Sequence, residues 1–302
     1  MLVTGGSGFI GAALIARLVE LGCTVWAISR SNSDKGRLSK FKNVINTIPC
    51  DINHVSQEVL SNLCPKVDIV FHLAAAGVHQ PALDVELLRV TNVEGTKRLL
   101  QASKDNGIKR FIHVGSCFEY RGGLNLNENS SLSSQSPYAL TKSEASKAVV
   151  CAAKNFPEGT VVLRPFMVYG PGESESRLIP YIISRAFKGE AINLTEGEQV
   201  RDFVFIDDVI DLLLRTTFAK NISGRVFNVC SGRGWKIKDV VAKAVELTGS
   251  KSELNYGALP YRENEAKCIV GNPERTAREL GWVTSVDLEE GLAIVSRHIK
   301  GA

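Results

Sequence analysis

Cysteine and histidine form no ligand-like pattern in this sequence of 302 residues. The seven cysteines form no C-x-x-C pair and lie at positions 23, 50, 64, 117, 151, 230 and 268. The five histidines likewise include no H-x-x-x-H pair. Because a disulfide framework or a zinc site needs close or matched spacing, the sequence favours free thiols in a reducing compartment and no bound metal.

Concentrated charge and long apolar spans are also missing. No run of five or more Lys or Arg residues occurs, and the net charge of +4 is spread along the chain. This distribution offers no electrostatic basis for binding nucleic acid or an anionic membrane. The N-terminus lacks the basic and apolar regions of a signal peptide, and no 18-residue apolar span follows. We therefore expect a cytoplasmic protein, with neither nucleic acid nor a membrane as partner.

A glycine-rich turn follows the first apolar segment. Residues 2–4 predict a short strand, residues 9–21 predict a helix, and residues 24–28 predict a second strand. Only glycine lets backbone N–H groups approach a pyrophosphate closely while the helix N-terminus faces the negative charge. Because the turn lies between a strand and a helix, it favours dinucleotide binding over a purely structural turn. The predicted contacts are Gly5, Ser7, Gly8, Phe9, Ile10 and Gly11.

The end of the second strand carries Ser29, Arg30 and Ser31. NAD-binding units usually have an Asp or Glu there, which holds the ribose 2′-hydroxyl. An acid would repel a 2′-phosphate, whereas a guanidinium between two hydroxyls accepts one in a charge-assisted contact. The sequence therefore favours NADP over NAD as cofactor, and the alternative is a solvated surface arginine.

Strand and helix signals alternate up to residue 114. Strands are predicted at 44–48, 68–73 and 110–114, and helices at 55–63 and 84–104. This order predicts an α/β fold with a doubly wound parallel sheet, of the Rossmann type, whose ligands bind at the carboxyl ends of the strands. Those ends hold Gly5, Arg30, Asp51, Ala74 and Ser116.

Two of these strand ends suggest further cofactor contacts. Asp51 and Ile52 follow the third strand, where the carboxylate could accept from an adenine amino group, although an Asp in a turn is as often a local cap. Leu73, Ala74 and Ala75 follow the fourth strand, and the alanines present small side chains where a cofactor must pass.

The sequence pattern becomes less regular after residue 165. We expect a dinucleotide-binding domain at 1–165, to which residues 203–232 return through a strand near 226–229. A smaller C-terminal α/β substrate domain is expected over 166–302, mostly 166–202 and 233–302. Residues 121–136 are polar and predict an exposed loop.

Tyr138 and Lys142 lie four residues apart in a segment, 138–154, that contains no Gly or Pro. Both side chains should project from one face of a helix. A nearby ammonium favours the phenolate and brings a tyrosine toward useful acid/base behaviour at neutral pH. By itself the pair is a weak signal, because most such spacings belong to ordinary amphipathic helices.

Several ordered motifs accompany this pair and together resemble one family. They are 4–11 (TGGSGFIG), 92–96 (NVEGT), Ser116, Tyr138 with Lys142, 164–172 (RPFMVYGPG), 201–209 (RDFVFIDDV), 279–282 (ELGW) and 288–292 (LEEGL). The chain resembles, nearly end to end, the extended short-chain dehydrogenase/reductase family in its sugar-nucleotide epimerase, dehydratase and ketoreductase branch.

The resemblance implies a role for each matching position. Tyr138 would be the general acid/base, Lys142 would hold the nicotinamide ribose, and Ser116 would hydrogen-bond the substrate oxygen. Asn92 would brace the floor of the active site. The resemblance further implies a homodimer, a cofactor contact at Pro165, and substrate contacts at Ser116, Cys117, Phe118, Met167 and Arg201, the last pairing with the diphosphate of a nucleotide-sugar.

Departures from the family pattern narrow the function. In the 4,6-dehydratases an Asp-Glu pair directly follows the catalytic Ser or Thr, whereas Cys117 and Phe118 follow Ser116 here and Glu119 comes one place too late. Met167 replaces the asparagine that many relatives have. We therefore favour an NADPH-dependent reductase of a nucleotide-linked 4-keto-6-deoxy sugar. The alternatives are an epimerase with tightly bound NAD(P) and a cofactor-binding sensor without turnover.

Overall fold

The computed structural model describes residues 1–30, 36–63, 67–77, 84–133, 136–261 and 265–301. Among the proposed site residues, Ser31 lies outside the described residues.

The strands within the described ranges are β1 (Leu2–Thr4), β2 (Trp26–Ser29), β3 (Asn46–Pro49), β4 (Ile69–His72), β5 (Arg110–Val114), β6 (Gly123–Leu126), β7 (Gly159–Pro165), β8 (Met167–Tyr169), β9 (Ile192–Asn193), β10 (Val200–Arg201), β11 (Phe203–Phe205), β12 (Arg225–Val229), β13 (Trp235–Lys236), β14 (Leu254–Asn255) and β15 (Cys268–Gly271).

The α-helices in the same ranges are α1 (Phe9–Glu20), α2 (Gln57–Leu63), α3 (Val85–Leu88), α4 (Gly95–Asp105), α5 (Pro137–Cys151), α6 (Leu178–Lys188), α7 (Ile206–Phe218), α8 (Ile237–Thr248), α9 (Glu274–Leu280) and α10 (Leu288–Lys300). A π-helical segment, Arg89–Glu94, joins α3 to α4, and 3₁₀ turns lie at Gly36–Phe41, Ile52–His54, Cys117–Glu119 and Ala153–Asn155.

Seven strands form one parallel sheet in the order β3-β2-β1-β4-β5-β7-β12. The register places Val3 beside both Ala27 and Phe71, and Phe71 beside Ile112. The strand order reverses between β1 and β4, which is the switch point where open sheets of this kind bind ligands. The predicted doubly wound α/β fold is confirmed.

The sheet is stabilised by central strands that are buried on both faces. Val3, Phe71, Phe111 and Val162 are each 0% exposed. Helices cover both faces of a doubly wound sheet, so its strands read as continuous apolar runs. Each such side chain contributes about 1.5–3 kcal/mol when it leaves water. This rigid platform fixes the strand ends that carry the site.

The chain divides into two compact units. The first comprises 1–120, 131–164 and 210–227, and the second comprises 121–130, 165–209 and 228–302. The sequence assigned 121–130 to the first domain as an exposed loop, and this was wrong at β6, which lies in the second unit. There β6 is the edge of a four-stranded sheet in the order β13-β10-β15-β6. The amide of Asn228 donates to the carbonyl of Leu126 at 2.7 Å and anchors that strand.

Buried carboxylates organise the loops of the second unit. Asp202 accepts from the backbone N–H groups of Ser231, Gly232 and Gly271 at 2.9, 2.9 and 3.2 Å. Asp208 accepts from the backbone and hydroxyl of Ser285 at 3.0 and 2.6 Å. Helices α6, α8 and α10 of the same unit pack against one another.

No helix in the described part of the chain is both long and apolar enough to span a bilayer.

Candidate active site

The turn between β1 and α1 is shaped by glycine. Gly5 has φ +69°, in the left-handed region that favours glycine, and its carbonyl accepts from the N–H of Gly8 at 3.0 Å. A Cβ added at Gly5 would lie 2.7 Å from the backbone nitrogen of Ala74. The turn after β1 and the loop after β4 therefore touch, backbone against backbone, at the switch point of the sheet.

The N-terminus of α1 suits an anionic ligand. Its N-cap is Gly8, which has no side-chain capping bond, and its first turn contains no acidic residue. The first N–H groups of a helix have no partner within the helix, and the helix dipole makes this end positive. Phe9 and Ile10 lie here, half-buried, and Gly11 is buried under the turn. The predicted pyrophosphate contacts thus form one cradle that fits a dinucleotide.

Basic side chains lie beside this cradle. Ser29 is 5% exposed at the end of β2, and Arg30 follows it exposed to solvent. Arg37, which the sequence did not single out, donates to the carbonyl of Ser7 at 3.4 Å from the 3₁₀ turn 36–41. Tertiary folding alone brings Arg37 to the glycine turn, so no local sequence signal marked it.

Asp51 follows β3 and acts as a local cap. Its carboxylate accepts from the backbone N–H of Asn53 at 2.9 Å, at the start of the 3₁₀ turn that contains the buried Ile52. The capping alternative considered above is therefore present, and the contact with adenine stays a prediction.

Asn92 clamps the loop after β4. It is 1% exposed, its Oδ1 accepts from the N–H of Ala76 at 2.7 Å, and its Nδ2 donates to the carbonyl of Ala76 at 3.2 Å. The same Nδ2 lies 3.1 Å from Oγ1 of Thr141 on α5. The loop of Leu73, Ala74 and Ala75 is thereby tied both to the π-helical segment and to the helix of Tyr138.

A chain of buried hydrogen bonds reaches from Asn92 back to β1. Thr96 donates to the carbonyl of Asn92 at 2.6 Å, so its Oγ1 accepts from Nε2 of His72 at 2.8 Å. Nδ1 of His72 then accepts from the hydroxyl of Thr4 at 2.7 Å, and the Thr4 oxygen accepts from the N–H of Ala74 at 3.1 Å. Burial lowers the pKa of His72 to about 3, with Lys142 contributing, so the ring is neutral as this arrangement requires.

Tyr138 and Lys142 lie on successive turns of α5. The helix begins with Ser136 as N-cap, whose hydroxyl accepts from the N–H of Ala139 at 3.1 Å, and Pro137 occupies its first turn. Tyr138 is half-buried in that turn, and Lys142 is 2% exposed one turn later. The Lys142 ammonium donates to the carbonyl of Val114 at 2.7 Å, which joins α5 to the carboxyl end of β5. Burial lowers the pKa of Lys142 to about 8.

Ser116 lies two residues beyond Val114, just after the end of β5. It is 7% exposed, and its Oγ accepts from the N–H of Phe118 at 3.2 Å. Phe118 is 39% exposed, whereas Cys117 is 1% exposed. Ser116, Tyr138 and Lys142 therefore belong to one rigid corner of the first unit, formed by β5 and the start of α5.

Glu119 is held inside this corner. Its carboxylate accepts from the backbone N–H of Ser116 at 2.9 Å, from the hydroxyl of Ser146 at 2.9 Å and from Nε of Arg164 at 2.8 Å. It is 0% exposed, and burial raises its pKa while Arg164 and Lys142 oppose that rise. The acid that follows Ser116 is thus engaged in a buried ion pair.

The remaining predicted contacts lie in the second unit. Pro165 ends β7, and Met167 begins β8, half-buried. Arg201 in β10 is 5% exposed, and its guanidinium donates to Glu265 at 2.8 Å and to the carbonyl of Val200 at 2.9 Å. Within the described residues, no cluster of His, Cys, Asp or Glu could hold a metal ion.

A doubly wound sheet with a glycine cradle at its switch point, and a Ser-Tyr-Lys set beside it, defines a nicotinamide-dinucleotide enzyme of the short-chain dehydrogenase/reductase type. The sequence profile of one family matches residues 1–230: the NAD dependent epimerase/dehydratase family. The chain belongs to this family, as the sequence motifs predicted.

The sequences of two relatives align with this chain along almost its whole length. CDP-abequose synthase from Salmonella typhimurium is 28% identical over 312 residues, covering 97% of this chain and 95% of the relative. GDP-6-deoxy-D-mannose reductase from Pseudomonas aeruginosa is 27% identical over 314 residues, covering 98% and 95%.

Solved structures agree in fold. UDP-glucose 4-epimerase from Thermotoga maritima, solved with UDP-glucose, superposes with a TM-score of 0.90 at 27% identity, covering 99% of this chain and 98% of that one. MoeE5 in complex with UDP-glucuronic acid and NAD gives a TM-score of 0.87 at 29% identity, with the same coverage. The relatives are thus epimerases, reductases and other enzymes named for nucleotide-sugars.

Proposed function

We propose that this protein is an NADPH-dependent reductase that acts on the keto group of a nucleotide-linked 4-keto-6-deoxy sugar. The observation that carries the proposal is the basic end of β2, where Arg30 is exposed in the place of an acid. A guanidinium there favours a 2′-phosphate, and therefore NADPH over NADH. A reductase among the full-length relatives supports the same direction.

The site also lacks what elimination would require. A dehydratase needs a free acid and base directly after the catalytic hydroxyl, and here Glu119 is bound to Arg164 at 2.8 Å with 0% exposure. A carboxylate held in this way cannot exchange a proton with substrate without breaking a buried ion pair. This favours a redox step at the sugar carbonyl over loss of water.

When bound, NADPH supplies a hydride to the carbonyl carbon. The negative charge that develops on the carbonyl oxygen is stabilised by a hydrogen bond from Ser116 and is neutralised by the phenolic proton of Tyr138. The phenolate left behind is stabilised by the ammonium of Lys142, until solvent restores its proton. The product is the alcohol, and each turnover consumes one hydride and one proton.

Substrate recognition would fall to the second unit. We propose that Arg201 pairs with the diphosphate of the nucleotide, a dianionic group that suits a bidentate cation. Its present partner, Glu265, would yield to that diphosphate. Met167 offers apolar surface in place of the asparagine that many relatives have.

Epimerisation is the second candidate, because the chain resembles UDP-glucose 4-epimerase in fold and in sequence. In that reaction the hydride returns to the other face of the sugar, with no net redox change. A non-catalytic sensor is the third, and the intact Ser116, Tyr138 and Lys142 set argues against it because a sensor needs no proton donor.

The proposal is tested on the purified protein in two measurements. Cofactor content is determined by mass spectrometry after denaturation, and NADPH consumption is followed with a panel of nucleotide-linked 4-keto-6-deoxy sugars. A reductase exchanges its cofactor and oxidises NADPH in proportion to product. Stoichiometric bound cofactor with interconversion of epimers, and no net oxidation, would instead establish the epimerase.

Cofactor preference is a prediction of its own. Arg30→Asp should shift preference from NADPH toward NADH by more than tenfold in kcat/KM, about 1.4 kcal/mol, because an acid repels the 2′-phosphate and accepts from the 2′-hydroxyl. Arg37→Ala is the matched variant: it lowers NADPH affinity without creating affinity for NADH. Equal use of both cofactors by the unmodified enzyme would overturn the assignment.

We also propose a homodimer formed through the surface of α3, α4 and α5. Val85 and Leu87 on α3 and Leu140 on α5 are 57%, 46% and 40% exposed. Large apolar side chains on two neighbouring helices are typical of a surface that another subunit covers.

A further inference from the structure

We propose that Glu119 is a positioning residue of this site: its buried carboxylate fixes the orientation of Ser116 and keeps Lys142 in its cationic form. The inference deepens the proposed function, on which it rests, because it assigns a task in ketone reduction to a side chain that the family motifs leave outside the catalytic set.

The carboxylate of Glu119 is held by a specific set of hydrogen bonds. One carboxylate oxygen accepts from the N–H of Ser116 and the hydroxyl of Ser146, both at 2.9 Å, and the other accepts from Nε of Arg164 at 2.8 Å. Three donors on a carboxylate with no exposed surface hold it in a single orientation. Gly115 makes room for it, because a Cβ at that position would collide with Oε1 of Glu119.

The bond to Ser116 controls the backbone at the catalytic hydroxyl. Ser116 and Glu119 form a reciprocal capping box around the 3₁₀ turn 117–119: the serine hydroxyl accepts from a backbone N–H of that turn and the carboxylate accepts from the serine N–H. Because the hydroxyl acts as acceptor in this arrangement, it keeps its own proton for a substrate oxygen. A shorter or neutral side chain at 119 would release the turn that aims Ser116.

The carboxylate of Glu119 lies beside Lys142. It accepts from the hydroxyl of Ser146, one helical turn after Lys142 on α5, and from the N–H of Ser116, two residues after the Val114 carbonyl that accepts from Lys142. Burial lowers the pKa of the Lys142 ammonium to about 8, and Glu119 is the group whose charge opposes that fall. Among the described residues, His72 on β4 and His113 on β5 also lie within electrostatic reach of Lys142, and burial lowers the pKa of both. Both rings are therefore neutral at physiological pH, which leaves Glu119 to stabilise the cation that supports the Tyr138 phenolate.

Arg164 completes the arrangement as counter-ion. Its guanidinium pairs with Glu119 and stacks over the ring of Tyr120 at 4.8 Å from the centroid. Removal of Glu119 alone would leave Arg164 buried without its carboxylate, so a loss of stability is expected in that variant. A second variant, Glu119→Gln with Arg164→Met, removes both charges together and retains the volume of the cluster.

The first test is the pH profile of kcat/KM for ketone reduction. Glu119→Gln, and its double variant with Arg164→Met, should move the alkaline limb to lower pH by about 1 unit, because a nearby opposite charge shifts a pKa by that amount or more. Glu119→Asp keeps the charge, so the alkaline limb should stay at the pH of the unmodified protein. Its shorter side chain holds the N–H of Ser116 less firmly, so kcat should still be reduced. Ser146→Ala removes a hydrogen bond from the same carboxylate but no charge, and should leave the limb in place.

The second test needs no substrate. The titration of Lys142 is followed by NMR of lysine labelled at Nζ, with Lys142→Met to assign its signal. The pKa of Lys142 should fall in Glu119→Gln and in the double variant and be retained in Ser146→Ala. An unchanged Lys142 titration in folded Glu119→Gln would overturn the proposal. Failure of the reductase assignment would leave this titration unaffected, so the two outcomes are distinguishable.

Discussion

At the scale of single residues, the site relies on groups whose surroundings change their chemistry. Lys142 is an ammonium in a buried setting that lowers its pKa to about 8, and it donates to the carbonyl of Val114 at the end of β5. Tyr138 lies one turn earlier on the same helix. A cation one helical turn away stabilises a phenolate, so the tyrosine releases its proton more readily.

Tyr138→Phe should lower kcat by about 10²- to 10⁴-fold, the usual contribution of a general acid. The change removes one oxygen and almost no volume, so the melting temperature and NADPH affinity should stay near those of the unmodified protein. Steady-state kinetics on the accepted nucleotide-sugar give the measurement. Ser116→Ala should cost less than Tyr138→Phe, and turnover near the original rate in Tyr138→Phe would remove the tyrosine from the mechanism.

Arg201→Ala should raise KM for the nucleotide-sugar steeply while NADPH affinity is retained, because it removes the charge proposed to pair with the substrate diphosphate. Glu265→Gln is the matched variant, since it frees the guanidinium of its present carboxylate and should lower KM. Both KM values come from initial rates at saturating NADPH, and NADPH affinity comes from fluorescence titration. An equal loss of affinity for both ligands would place Arg201 outside the substrate site.

At the scale of elements, the π-helical segment between α3 and α4 organises the loop after β4. Such segments are short irregularities that are frequent at functional sites. Here the segment carries Asn92, which bonds both backbone groups of Ala76 and reaches Thr141 on α5. These hydrogen bonds hold the loop after β4, the π-helical segment and α5 in a fixed arrangement.

Asn92→Ala should destabilise the protein by about 1–3 kcal/mol, because it leaves the N–H and carbonyl of Ala76 without their partner. Urea unfolding of the cofactor-free protein measures this loss. NADPH affinity should fall as well, since the loop after β4 borders the cradle. Thr141→Val removes a single one of these bonds, so it should lower both quantities less. Equal effects in the two variants would argue against the clamp.

Elements with strong local signals could be predicted from the sequence, and those formed by distant pairing could not. The bounds of β5 match the predicted strand at 110–114 because an apolar run and turn residues delimit it. Strand β6 was missed because its polar sequence becomes a strand only beside β15, far along the chain. The long helix at 84–104 was predicted, whereas its π-helical interruption has no known local signature. The Glu119–Arg164 pair likewise depends on tertiary packing.

At the scale of the whole molecule, two compact units divide the predicted tasks. The first contains the glycine cradle and Ser116, Tyr138 and Lys142, and the second contains Met167 and Arg201. A site at the strand ends of a parallel sheet gathers residues from separate βα segments. The predicted catalytic residues accordingly lie in one unit. The roles carried over from the family remain predictions for the experiments above.

Leu140→Glu should convert the proposed homodimer to a monomer, because a carboxylate at the centre of an apolar interface is costly to bury. Light scattering coupled to size-exclusion chromatography measures the mass directly. Leu247→Glu is the matched control: Leu247 on α8 is 46% exposed, outside the proposed surface, and should leave the mass unchanged. A monomeric mass for the unmodified protein would remove the dimer.

The place of β12 in the large sheet has a consequence for synthesis on the ribosome. β12 is the neighbour of β7, yet Arg225 is separated from Pro165 by 59 residues (225 − 165 − 1). At about 5–20 residues per second, translation of that interval takes about 3–12 s. Throughout it, the edge of β7 presents unpaired N–H and carbonyl groups on an apolar strand, which other chains can pair with. The nascent chain is therefore expected to depend on chaperones most strongly between the emergence of Pro165 and that of Val229.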